Sequence, residues 1–304
     1  MRVAVVGVGH LGKHHARILG SMPGVELVAV VDTNQARAQE IAAANNTQAL
    51  TDVSGLIGTV DAVSIAVPTE RHLEIALPFL KAGVPVLVEK PMARSLEEAD
   101  LMIAAAAASG VALAVGQTER FNPAVEAARP MLRDPRFIEV HRLGTFPERS
   151  LDIDVVFDLM IHDLDVVASL VDSEVESVEA VGVPVLTGRV DIANARLRFA
   201  NGCIANLTAS RISRDRVRKI RFFQPAAYVS IDYAAQKVEM YRLVKGEGPM
   251  PKIDGGDMPV QNDEPLKREL QDFVDAVANK RAPTVDGAQG RRALELATRI
   301  VAAM

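Results

Sequence analysis

The chain has 304 residues, 49% hydrophobic and 24% charged, an ordinary globular composition that excludes a disordered or fibrous protein and suits about two domains. A formal net charge of -5 gives no broad attraction to phosphate backbones, so no nucleic-acid partner is expected despite the basic run Arg211, Arg214, Arg216, Arg218, Lys219 and Arg221. With Cys203 as the only cysteine, an intrachain disulfide and a cysteine-ligated metal site are both excluded. The chain begins without a basic then apolar leader, and no stretch has the roughly 20 apolar residues that span a bilayer. A cytoplasmic protein with no membrane contact is the expectation.

Up to about residue 118 apolar strands alternate with helices, the pattern of a doubly wound parallel sheet. Strands are predicted near 2–7, 26–32, 62–67, 85–89 and 112–116. Helical composition and spacing mark His10 to Leu19, the Ala-rich stretch after Asn34, Glu70 to Lys81, and Leu96 to Ala108. Ser95-Leu96-Glu97-Glu98 reads as a capping box in which Ser95 accepts from the third backbone N–H and Glu98 reaches back. Beyond Gln117 a helix over Asp158 to Leu170 precedes strand-like runs near 175–186, 190–200, 203–211, 217–224 and 227–232.

Asn201-Gly202 marks a hairpin. A two-residue turn would mix apolar and polar positions on each face, whereas a three-residue loop with Gly202 in the left-handed conformation sets Phe199 opposite Cys203 and Leu197 opposite Ala205. The other face then carries Asn194, Arg196, Asn206 and Thr208. Residues 245–262 read as a mobile surface loop, and two helices, roughly 264–280 and 288–303, close the chain. The expected fold is α/β: an N-terminal Rossmann domain over 1–118, then an α+β domain over 119–304 with a large, mostly antiparallel sheet for substrate binding and oligomerisation.

The first strand runs straight into Gly7-Val8-Gly9-His10-Leu11-Gly12, which opens a helix. In that setting Gly7 permits a tight turn, Gly9 a close backbone approach to a pyrophosphate, and Gly12 helix–sheet packing. Asp32, ending the second strand, is placed to accept from a ribose 2′-hydroxyl and repel a 2′-phosphate, so NAD is favoured over NADP, with Thr33 and Arg37 leaving dual use open. Val67-Pro68-Thr69 lies at a strand's carboxyl end and is expected to touch the cofactor by its backbone. His72 is either a ligand contact or a capping or buried structural histidine. Gln117 either bonds to sugar or nicotinamide or bridges domains.

Glu89-Lys90-Pro91 follows Val86-Leu87-Val88, where a lysine can reach a bound nicotinamide. Asp158 and His162 stand four positions apart, which on a helix puts a carboxylate and an imidazole on one face. Together with the glycine motif these residues read as a nicotinamide-dependent dehydrogenase of an alcohol. His162 suits a general base, Lys90 a donor to the developing alkoxide, and Asp158 a group orienting the imidazole or the lysine. A helix-surface Asp–His pair is the alternative reading of the last two. Asp163 and Asp165 point to different faces, so at most one shares a pocket with His162.

On Gly7-Val8-Gly9-His10-Leu11-Gly12, Glu89-Lys90-Pro91 and Asp158-x-x-x-His162-x-x-Asp165 the chain resembles the Gfo/Idh/MocA oxidoreductases over essentially its full length. That resemblance implies roles around the nicotinamide and the reacting carbinol for Lys90, Asp158 and His162. It also implies dimers or tetramers formed through the sheet. Many members carry glycines where this chain has Asp154-Val155-Val156-Phe157. A narrower resemblance, to the UDP-N-acetylglucosamine 3-dehydrogenase branch, rests on Glu119-Arg120-Phe121-Asn122-Pro123, Asp154 to Asp163, Asp191 to Arg196, and Thr208-Ala209-Ser210-Arg211. It implies a nucleotide-sugar substrate and coupling to an aminotransferase in lipid A synthesis. Arg120, Arg149 and Arg211 are then candidates to neutralise the diphosphate, and Asp163 a further substrate contact. Dehydrogenation of a free sugar or cyclitol, or a silent NAD-binding regulator, are the competing readings.

Overall fold

In a computed structural model that describes residues 1–146, 153–246 and 251–304, the opening apolar run forms strand β1 (Arg2–Val6). It is followed by helix α1 (Gly12–Ser21), β2 (Glu26–Val31), α2 (Gln35–Asn45), β3 (Gln48–Leu50) and β4 (Ala62–Ile65). Then come α3 (His72–Lys81), β5 (Val86–Glu89), α4 (Leu96–Ser109) and β6 (Leu113–Gly116). The six strands make one sheet in the order β3-β2-β1-β4-β5-β6, with every pairing parallel. β4, β5 and β6 are buried along their whole length, which is why they read as unbroken apolar runs. The strand order reverses between β1 and β4, the switch point at which such sheets accept ligands beyond their carboxyl ends.

All five strands expected here form; β3 was not foreseen, since three residues of mixed polarity carry no period. Ser95 caps α4 by accepting from Glu98 N at 3.3 Å. Glu98 does not close the box on Ser95; its carboxylate takes the Arg94 amide at 3.1 Å and the Arg94 guanidinium.

The next element is helix α5 (Pro123–Ala128), followed by β7 (Phe137–Leu143). A π-turn over Val156–Met160 leads into α6 (Ile161–Leu170). Seven strands follow: β8 (Val175–Val183), β9 (Ile192–Phe199), β10 (Ile204–Ser210), β11 (Val217–Gln224), β12 (Ala227–Asp232), β13 (Lys237–Val244) and β14 (Lys252–Met258). They join β7 in a sheet ordered β14-β13-β12-β11-β7-β10-β9-β8. Only β7 and β10 run parallel among these pairs.

The hairpin between β9 and β10 has the expected register, with Leu197 opposite Ala205 and Ala195 opposite Leu207. Gly202 sits at φ 84° and Phe199 N donates to Cys203 O at 2.9 Å. One face of the sheet buries Ile138, Val140, Leu197, Leu207, Ile220, Phe222, Val229 and Ile231 against α5 and α6. On the opposite face Asn194 donates to Thr208 Oγ1 at 2.9 Å. An aromatic row, Phe137, Phe223, Tyr228 and Tyr241, crosses four strands with ring centroids 5.6, 5.2 and 6.3 Å apart.

Two expectations need correction. The region read as a loop over 245–262 contains β14, an exposed edge strand paired along its length with β13. Gly255 is what allows it: at φ 151° a side chain there would meet Met240 O at 2.0 Å, so a glycine that reads as loop is a packing requirement. β7, at the middle of the sheet, was also missed, because its Arg142 breaks the apolar alternation.

Helices α7 (Pro265–Asn279) and α8 (Gly287–Ala302) end the chain. Contacts group the molecule into two units, Met1–Gln117 with Leu266–Leu294, and Thr118–Pro265 with Glu295–Met304. A linear division at residue 118 therefore does not hold at the C-terminal end. Leu270, Phe273 and Val274 pack with Val3, Val5, Ala16 and Leu19 in the core of the first unit. Leu296, Ala297 and Ile300 belong to the core of the second. No helix among the described residues is long and apolar enough to cross a membrane.

Candidate active site

In the first unit the glycine loop follows β1 at its carboxyl end. Gly7 has φ 83°, and a Cβ there would lie 2.7 Å from Ala66 O. A Cβ on Gly12 would fall 1.8 Å from Gly7 O, so the turn closes only because both lack side chains. At Gly9 nothing lies within 4 Å of that position. The open space leaves backbone exposed where α1 begins, as a cofactor pyrophosphate requires, and these residues fit a dinucleotide. Exposed His10 and half-buried Leu11 lead into the helix, Leu11 O accepting from His14 N at 2.8 Å.

Asp32 ties the end of β2 to this loop. Its carboxylate accepts from Val8 N at 3.1 Å and Asn34 N at 2.9 Å. Arg37 closes the same corner by donating Nε–H to Val8 O at 3.1 Å. Val67, Pro68 and Thr69 follow β4, and Glu89, Lys90 and Pro91 end β5. His72 is fully buried, Nε2 lying 2.9 Å from Val67 O and Nδ1 3.0 Å from Pro91 O. Burial holds its imidazole below the ordinary value, and of its two readings the structural one applies: the ring bridges two loops. Gln117, after β6, is 1% exposed, and among the described residues neither atom of its amide has a hydrogen-bond partner. An orphaned buried amide at a strand's carboxyl end is suited to a ligand that completes its bonds.

In the second unit Asp158 and His162 sit on the π-turn and the first turn of α6, both half-buried. The expected helix is thus preceded by one widened turn, closed by Ile161 N to Val156 O. Ahead of Asp158 the chain buries Val155 and Val156 completely and anchors Asp154 Oδ1 to Val190 N at 2.9 Å.

The residues assigned to substrate are, in the described part, committed elsewhere. Arg211 is 1% exposed; its Nε lies 2.9 Å from Asp191 Oδ1 and its Nη2 donates to Ile153 O at 2.8 Å. Asp191 also accepts from the amides of Val185, Leu186 and Thr187 at 2.8, 2.6 and 2.9 Å. Burial opposes the Asp191 charge, but the Thr187 hydroxyl, donating at 2.7 Å, and these three amides overcome it and hold the carboxyl well below its usual range. Buried Arg120 pairs with Asp165 at 3.2 Å. Asp163 receives two bonds from Arg142, at 2.6 and 2.9 Å, and Arg142 reaches Glu119 at 3.0 Å. Burial works against the Arg142 charge and these acids more than restore it. Arg211, Arg120 and Asp163, the substrate candidates among the described residues, are each held in an internal ion pair that ties down α6 or the β8–β9 turn. Arg149 lies outside the described residues.

Glu119, Arg142 and His15 were missed as site-shaping residues. For His15 a signal existed, its place three residues beyond Gly12; for Arg142 its pairing with distant acids left none.

The first 117 residues match the family model described as oxidoreductase family, NAD-binding Rossmann fold, and residues 133–224 match the GFO/IDH/MocA C-terminal domain. The UDP-N-acetylglucosamine 3-dehydrogenase of Acidithiobacillus ferrooxidans is 40% identical over 304 aligned residues, covering 99% of this chain and 96% of that protein. The chain belongs to the Gfo/Idh/MocA oxidoreductase family. A solved structure of the same Acidithiobacillus enzyme superposes on this family member with a TM-score of 0.94 at 39% identity, covering 100% of this chain and 97% of that one. A more distant relative, the scyllo-inositol 2-dehydrogenase (NAD(+)) of Bacillus subtilis, is 28% identical over 94% of this chain and 88% of its own. As a Gfo/Idh/MocA oxidoreductase the chain uses NAD, bound by the Rossmann unit described above.

Proposed function

We propose that this oxidoreductase oxidises the 3-hydroxyl of UDP-N-acetylglucosamine to the 3-keto sugar. The observation that carries the reading is the 40% identity to a UDP-N-acetylglucosamine 3-dehydrogenase along 99% of the chain, through both units. The scyllo-inositol 2-dehydrogenase matches at only 28% over 94% of the chain, so a free sugar or cyclitol is the weaker alternative. A silent NAD-binding regulator is not favoured, because Lys90, Asp158 and His162 are all present.

Gly7, Gly9, His10, Leu11 and Gly12 would hold the pyrophosphate, Asp32 the adenosine ribose, and Val67 to Thr69, Lys90, Pro91 and Gln117 the nicotinamide end, with the buried Glu89 behind them. Bound NAD supplies the acceptor for the hydride leaving the sugar carbon. His162 removes the hydroxyl proton, imidazole being the side chain best suited to general base catalysis near neutral pH. Lys90 donates to the same oxygen and stabilises its developing negative charge. Asp158 orients the imidazole or the lysine. With Arg120, Arg211 and Asp163 engaged internally, Arg149 is the arginine carried forward for the diphosphate. Asp32 favours NAD over NADP, its carboxylate repelling a 2′-phosphate.

The keto product suits an aminotransferase that installs nitrogen, which would place the enzyme in lipid A synthesis in the cytoplasm. A homodimer or homotetramer through the second sheet is supported by its partly exposed aromatic row, Phe223 being 38% and Tyr241 43% exposed. Light scattering after gel filtration tests the assembly. For the activity, purified protein is mixed with NAD and UDP-N-acetylglucosamine, glucose or myo-inositol, with a carbonyl trap, and absorbance of reduced cofactor is followed. Turnover with the nucleotide sugar is expected; turnover only with unactivated sugars overturns the substrate assignment.

A further inference from the structure

Glu89 is a carboxylate in the wrong place for a core residue. It continues the fully buried run Val86-Leu87-Val88 and is itself only 5% exposed. Buried acids are rare unless held, and an apolar residue would serve stability there as well or better. Five elements are arranged around it. From α1, His15 Nε2 lies 3.0 Å from Glu89 Oε1, and His15 Nδ1 lies 2.8 Å from Ser64 Oγ on β4. From β6, Gly116 makes the room, since a Cβ there would be 3.0 Å from the Glu89 carboxyl. From α7, Glu269 completes a buried group with His15 and Glu89 whose side-chain polar atoms lie within 4.8 Å of one another. On its own strand, Glu89 Oε2 accepts from Lys90 N at 3.2 Å. Burial alone would raise the Glu89 carboxyl, yet His15 and Lys90 hold it below its ordinary value, so it is ionised at neutral pH.

The carboxylate therefore folds back onto the amide at which the chain leaves β5, and everything that grips it fixes the direction in which Lys90 departs. The next residue is held as well, Pro91 O lying 3.0 Å from His72 Nδ1. We propose that His15 and Glu89, backed by Ser64, are positioning residues for Lys90, binding the helix of the glycine loop and the lysine into one rigid piece. This rests on the reading of Lys90 as a donor to the reacting oxygen. A misplacement of the lysine by about 1 Å is enough to cost roughly 100-fold in rate, without any loss of cofactor binding.

The test is a kinetic series on the full-length enzyme, with thermal melting and NAD titration as controls. Glu89→Gln keeps the shape and removes the charge; kcat is expected to fall roughly 30- to 100-fold, with the NAD dissociation constant within about threefold of the parent. His15→Ala should match it. His15→Gln, whose amide reaches the Nε2 position and can still donate to Glu89, should recover most of the rate, and Gly116→Ala should fall between. In a Lys90→Ala background, Glu89→Gln should cost nothing further, since its effect passes through the lysine. Parental kcat in Glu89→Gln and His15→Ala, or an equal loss on top of Lys90→Ala, overturns the positioning role. If Lys90→Ala itself keeps full turnover, the assignment of Lys90 has failed instead. Should Glu89→Gln not fold, His15→Gln against His15→Ala and Gly116→Ala carry the same decision.

Discussion

The corner around Asp32 and His72 in the first unit and the buried arginines of the second hold their polar groups differently. Around the glycine loop the partners are mostly backbone: Asp32 accepts from two amides and His72 lies between two carbonyls. In the sheet unit the partners are other side chains: Arg211 with Asp191, Arg120 with Asp165, and Arg142 with Asp163 and Glu119. A carboxylate tethered by backbone amides keeps lone pairs for a ligand, whereas a buried arginine paired with a carboxylate has its charge largely compensated. A run of arginines in a sequence is therefore poor evidence for a phosphate site until their acids have been found.

The largest effect expected on this contrast is in the cofactor half. Lys90→Ala should lower kcat by roughly 10²- to 10³-fold while NAD still binds, as fluorescence titration would show; unchanged turnover would remove the lysine from the chemistry. In the sheet half Arg211→Ala should act on stability alone. Leaving Asp191 buried without its partner should cost about 3–5 kcal/mol in urea unfolding, with KM unchanged in whatever protein remains folded.

Asp191 adds a pH signature. Its carboxyl is lowered by folding, so the stability it brings is complete above the ordinary aspartate pKa of about 3.9 and is lost as pH falls below it toward the lowered value. The stability gap between the parent and Asp191→Asn should narrow on acidification below about pH 4; a constant gap would place the effect in packing. Asp32→Ser should shift the NAD to NADP ratio of kcat/KM by roughly ten- to a hundredfold toward NADP, the worth of a hydrogen bond to a charged group. Smallest is Ser95→Ala, about 1 kcal/mol from one lost helix cap, read as a lower melting temperature.

Local chemistry was the legible part. The glycine loop, the Ser95 cap and the Asn201-Gly202 hairpin each depend on residues within a few positions, so their pattern is complete in a short window. β7 and β14 were not legible. Arg142 is tolerated at the centre of a sheet only because Asp163, 21 residues away, meets it. β14 pairs along its length with β13, although its glycines by themselves signal a turn.

By itself the amino-acid sequence determined the doubly wound start, the dinucleotide loop and the identity of the lysine, aspartate and histidine offered to the reaction, because each is written in contiguous residues. Tertiary structure alone decided which charges are available. Arg211 and Arg120 looked like phosphate readers until acids 20 and 45 residues away were found against them, and Glu89 looked like a flank of its lysine until His15 met it. Coulombic pairing acts over a few ångströms of space and is indifferent to separation along the chain, so only folding reveals it.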